Sequence, residues 1–80
     1  MNTPAHPQYR NFGRVVRRAR ESMRFSQERL AEHSNLNRSY LGEIERGDVV
    51  PSLHAMAKLA GGLGVRLSEL IARCEEEVTP

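Results

Sequence analysis

Residues 27–46 read QERLAEHSNLNRSYLGEIER, and the pattern of this stretch decides the fold. It holds two short amphipathic helices around a tight turn, and four positions govern how they meet. Ala31 is small enough for the helices to cross closely, and Asn35 tolerates the left-handed backbone that a sharp turn needs. Leu41 and Ile44 lie three residues apart and anchor the second helix on an apolar stripe. Ser26 and Asn37 stand where side-chain oxygens cap the free N–H groups of helix starts. Phe25 with Leu30, and Leu36 with Leu41, make a hydrophobic staple across each cap. Arg29 stands where Glu or Gln would close a capping box, so that box is incomplete. The product is a helix-turn-helix with Ser34-Asn35-Leu36 as its turn, a unit suited to placing a helix in the major groove of DNA.

Outward from this unit the chain reads as helix throughout. A first helix is expected from about Tyr9 to Met23, with Phe12, Val16, Ala19 and Met23 on its inward face. Gly47 ends the third helix, and Asp48 to Pro51 form a loop. Ser52 caps a fourth helix with Leu53, Met56, Leu59, Ala60 and Leu63 inward. A fifth, about Leu67 to Glu75, carries Leu67, Leu70, Ile71 and Cys74. The expected fold is therefore all-α: a flexible arm at 1–8, one five-helix domain at 9–75 and a frayed tail at 76–80. Gly42, inside the third helix, weakens it but leaves room for DNA or a partner to approach.

Composition narrows the function. Eighty residues make one small domain with a net charge of +2. The charge is uneven: Arg10 to Arg46 holds nine arginines against five glutamates, whereas Asp48 to Pro80 holds three basic and five acidic residues. The basic half coincides with the helix-turn-helix, as a nucleic-acid footprint would. No apolar run approaches the roughly 18 residues of a membrane span, and Met1 to Tyr9 lack the apolar core of a signal peptide. Cys74 stands alone and forms no disulfide within the chain, which fits a reducing cytoplasm. His6, His33 and His54 lie at no metal-ligand spacing, and no catalytic triad is suggested by helix placement. Gly61-Gly62-Leu63-Gly64 lacks the lysine and hydroxyl of a phosphate loop. No enzyme, metal, cofactor, membrane or small-molecule ligand is implied.

Several segments together resemble the Xre-type (phage repressor and Cro-like) helix-turn-helix regulators. They are Arg20, the run Phe25 to Ala31, Tyr40 to Gly47, Pro51-Ser52-Leu53, Leu59-Ala60 and Leu63-Gly64-Val65. The likeness covers about Asn11 to Ala72, and so short a chain looks most like the controller proteins of restriction–modification systems. It implies a compact, lambda-repressor-like five-helix domain that binds operator DNA as a dimer. It also implies that Gln27 contacts the phosphate backbone and braces the recognition helix, and that Arg20 pairs with Glu45 to tie the first helix to the third. In the third helix, Asn37, Arg38, Ser39, Tyr40 and Glu43 face outward. Arg38 is the leading candidate to discriminate bases, since a guanidinium bonds guanine O6 and N7 together. Ser39 can reach base or phosphate, Tyr40 a thymine methyl or a phosphate, and Glu43 a cytosine N4. Arg46, at the helix end, suits a phosphate contact, while Asp48 sits where a basic residue is common and weakens that attraction.

One recognition helix spans too few base pairs for selectivity, so a homodimer on two half-sites is expected. Val65, Leu67, Leu70 and Ile71 are the expected interface, with Cys74 nearby. The competing class is an antitoxin-like or other protein-interaction module of the same fold.

Overall fold

The computed structural model describes residues 7–78, with side chains described for 10–76. Five helices follow in order: α1 Pro7–Ser22, α2 Gln27–Ser34, α3 Arg38–Arg46, α4 Leu53–Leu63 and α5 Leu67–Val78, with no strand among the described residues. α1 lies against α3 and α5, while α2 lies against α3 and α4. Leu30, Leu41, Ile44, Leu59, Leu70 and Val16 are fully buried where these elements converge.

The caps form as the sequence dictates. The Ser26 hydroxyl accepts from the Arg29 backbone N–H at 3.0 Å. The Asn37 side-chain oxygen accepts from Ser39 at 2.8 Å and Tyr40 at 3.3 Å. The Ser52 hydroxyl accepts from Ala55 at 3.0 Å. Each satisfies donors that the first turn of a helix leaves unpaired.

The stops share one geometry. α2, α3 and α4 end at Asn35, Gly47 and Gly64, all left-handed. In each, the next residue's N–H reaches back across the last turn: Leu36 to Ala31, Asp48 to Glu43, Val65 to Ala60. α1 stops the same way, with Phe25 N–H on the Arg20 carbonyl at 3.1 Å and Arg24 left-handed at φ 60°. An arginine in that conformation carries a penalty that glycine avoids, which is why no punctuation mark announced this stop.

Several expectations change. α1 begins at Pro7 rather than Tyr9, because proline at a first helical position forgoes an N–H that has no partner there anyway. Only residues 1–6 of the expected arm lie outside the described residues. α1 ends at Ser22, so the turn carries Met23 out into solvent, and Val15 joins Phe12, Val16 and Ala19 in the core. Leu53 is also exposed, at 67%: it opens α4 at the rim, and the inward stripe is Ala55, Leu59 and Leu63 with Ala60. α5 runs to Val78 instead of fraying after Glu75, and Thr79 and Pro80 lie outside the described residues.

Two glycines show why position decides the effect of the same residue. Gly13 lies where α1 crosses α3; a methyl group there would overlap the Ile44 carbonyl oxygen and stand 2.8 Å from that of Glu45. Gly61, in the last turns of α4, has open space above it. Gly13→Ala is expected to lower the urea midpoint, by about 1–3 kcal/mol of stability, through forced separation of α1 and α3. Gly61→Ala is expected to raise it, by up to about 1 kcal/mol, through helix propensity alone.

Candidate nucleic-acid interface

α3 has one face committed to the core and one facing solvent. Leu41, Ile44 and Glu45 are buried, whereas Asn37, Arg38, Ser39 and Arg46 are exposed and Tyr40 and Glu43 are half-buried. Ser39, Glu43 and Arg46 recur at spacings of four and three and so share one side of the helix. Arg38 projects from the first turn, beside the Asn37 cap. This side is a ridge of donors and acceptors rather than a cavity.

The anchoring of α3 rests on a carboxylate. Glu45, its side chain only 3% exposed, accepts from Arg20 Nε at 2.7 Å and Nη2 at 3.0 Å. Arg20 also donates through Nη1 to the Phe25 carbonyl at 2.8 Å. The Gln27 amide nitrogen donates to the same carboxylate at 3.0 Å. One buried group thus collects α1, the α1–α2 turn, α2 and α3. Its hydrogen bond raises the Arg20 pKa above the ordinary guanidinium value against the opposing effect of burial. Arg20 and Glu45 therefore meet at the distances of a two-pronged pair.

The Gln27 amide donates one hydrogen to Glu45, and its second hydrogen has no acceptor among the described residues. It stands at the first position of α2, beside unpaired backbone N–H groups that favour an anion. Tyr40 is tied into the fold, since its hydroxyl accepts from the Ser52 N–H at 3.4 Å and its ring packs on the core. Arg46 Nε pairs with Asp48 at 2.8 Å, both exposed. That pairing was not foreseen, although Asp48 two residues beyond Arg46 was its signal. Gly42 is also placed differently from expectation, for it is buried beneath the side chains of Arg46 and Gln27.

The expected interface residues divide. Leu70 is fully buried in the chain's own core and has no surface left for a second copy, a correction forced by packing against α1. Val65, Leu67 and Ile71 pack on that core but remain partly exposed. Ile71 lines an open apolar groove of about 280 Å³ with Phe12, Val50, Pro51, Met56 and Cys74. Val50, in the loop before α4, is 60% exposed at its edge. No group of three or more potential metal ligands occurs among the described residues. No helix among them is long and apolar enough to cross a membrane.

A capped, solvent-facing α3 braced by α2 through buried polar bonds defines the class: a helix-turn-helix DNA-binding domain. Residues 16–70 match the helix-turn-helix family model, and the chain belongs to that family, among its Xre-type regulators. It is similar to the immunity repressor protein of Bacillus phage phi105, 39% identical over 59 residues. That match takes in 74% of this chain but only 41% of the repressor, so the chain spans about two fifths of that relative's length. It is likewise similar to the control protein C.MunI of a Mycoplasma species, 39% identical over 67 residues, covering 82% of this chain and 90% of that one. Among solved structures, the restriction–modification controller protein C.AhdI from Aeromonas hydrophila superposes with a TM-score of 0.78 at 40% identity, covering 81% of this chain and 98% of that one. The chain is thus a DNA-binding transcription regulator of a non-enzymatic family.

The buried network generates a prediction. Glu45→Ala leaves the part-buried Arg20 without its carboxylate and is expected to lower stability by about 3 kcal/mol in urea unfolding. Replacing both charges together, Arg20→Met with Glu45→Leu, is expected to unfold at higher urea than Glu45→Ala alone, because no unpaired charge remains.

Proposed function

We propose that two copies of this chain bind an inverted-repeat operator and act by occupancy, blocking or recruiting polymerase at a nearby promoter in the cytoplasm. The observation that carries the reading is the exposed first turn of α3, where Arg38 and Ser39 face solvent while Leu41, Ile44 and Glu45 hold the helix from behind. In this reading Arg38 reads a guanine edge, Ser39 and Glu43 adjust neighbouring base preference, and Asn37 and Tyr40 border the groove. Gln27 and Arg46 hold the phosphate backbone beside the reading helix. Arg20 and Glu45 keep that helix at one angle.

The homodimer follows from length and surface. α3 has nine residues, enough for one half-site and too few for selectivity in a genome. The apolar groove at Ile71 with exposed Val50 supports an interface on that face, flanked by Val65 and Leu67. Likeness to controller proteins C.MunI and C.AhdI over nearly their whole lengths supports a regulator of the controller type.

Selection of bound sites from random DNA tests the operator reading. Two half-sites in inverted orientation, about one helical turn apart, are expected; a single undivided site would overturn the dimer on DNA. Arg38→Ala is expected to lose about 1–3 kcal/mol on the selected site and little on random duplex. Equal losses on both would remove Arg38 from base reading. In sedimentation at tens of micromolar, Ile71→Glu is expected to shift dimer to monomer with helicity retained, and an unchanged dimer would place the interface elsewhere.

A further inference from the structure

We propose that Gly42, Arg46 and Gln27 form a seat for one DNA phosphate, and that Asp48 beside it competes with that phosphate for the Arg46 guanidinium. The proposal rests on the reading of this face as the DNA-binding side, and makes Asp48 a built-in brake on affinity. Gly42 is the floor of the seat. A methyl group built on it would lie 3.2 Å from Arg46 Nη1, and 3.9 Å and 4.0 Å from the amide oxygen and nitrogen of Gln27. The bare backbone therefore lets the arginine from the last turn of α3 fold back toward the first residue of α2. Two donors from different helices border the same spot: the guanidinium, whose terminal nitrogens have no acceptor among the described residues, and the second hydrogen of the Gln27 amide.

Asp48 is held beside this seat by construction. Its N–H bonds the Glu43 carbonyl at 2.9 Å, and left-handed Gly47 turns the chain just before it. The backbone of Asp48 is thereby held at the end of α3, within reach of Arg46, and its carboxylate accepts from Arg46 Nε at 2.8 Å. Both side chains are more than half exposed, at 62% and 55%, so the pair is solvated and readily exchanged. A phosphate presents more acceptor atoms than a carboxylate and serves guanidinium and amide together. On DNA the phosphate draws the guanidinium from the carboxylate, and Asp48 is left as a repelled negative charge beside it.

The chemistry distinguishes this from simple charge repulsion, because the brake acts through Arg46. Binding to a random-sequence duplex across a salt series suffices as a probe, since phosphate contacts carry no sequence information. Asp48→Asn is expected to tighten binding about two- to fivefold and to steepen the salt dependence. In an Arg46→Ala background the same change is expected to gain less than about half of that factor. An equal gain in both backgrounds overturns the brake. Gly42→Ala supplies the second arm: the added methyl pushes the guanidinium by a few tenths of an ångström, and binding is expected to fall about twofold while the urea midpoint holds or rises. Unchanged binding by a folded Gly42→Ala protein overturns the seat. Should Arg46→Ala itself bind the duplex as tightly as the wild type, the assignment of this face fails, and the proposal with it.

Discussion

A carboxylate that is almost completely enclosed governs the geometry of this domain. Removing Glu45 from water is costly, and the cost is offset only because three hydrogen bonds from Arg20 and Gln27 converge on it. Those donors come from α1 and α2, so satisfying the charge fixes where α3 sits relative to both. Gly13 completes the constraint seven residues before Arg20 on α1, where its missing side chain lets the helix backbone approach Ile44 and Glu45. Apolar packing alone is non-directional and would tolerate some sliding of α3. The planar guanidinium fork does not. The reading face is therefore held in position by a polar interaction on its buried side.

The same economy appears at the helix ends. Four helices stop on left-handed residues with the same backward hydrogen bonds, and only two of those residues are glycine. Asn35 is the next most tolerant choice, since its short amide suits the left-handed region. Arg24 is a strained one, held by Phe25, whose N–H and carbonyl both bond Arg20. Arg20 thus serves the α1–α2 turn and the α1–α3 crossing together. A single side chain couples the entry to the helix-turn-helix with its orientation.

Much of this was legible in the order of residues because the signals are local. Ser26, Asn37 and Ser52 cap through their own hydroxyl or amide oxygens within three residues, so the starts of α2, α3 and α4 follow from adjacent chemistry. Leu41 and Ile44 face inward because helical spacing admits little else. Errors arose where the relevant neighbour is distant. Met23 continues the α1 stripe in projection, yet the chain has already turned. Leu53 looks like core by hydrophobicity, yet it occupies the rim of α4, and Ala55 takes the buried place. Leu70 looked surplus to a thin core, whereas the contact of α1 with α5 encloses it.

By itself the sequence determined the five helices, the helix-turn-helix at 27–46 and the side of α3 that faces outward. Caps, turn residues and apolar periodicity act within one or two turns, and they needed no knowledge of the rest of the chain. Tertiary structure alone decided which surplus apolar residues remain on the surface and how Arg46 is placed. Exposure depends on which helices cover one another, and the Arg46 guanidinium lies over a bare Gly42 near Gln27 of another helix, with its Nε on a turn-fixed Asp48. These are distances between elements, set by the crossing of helices rather than by the order of residues within one.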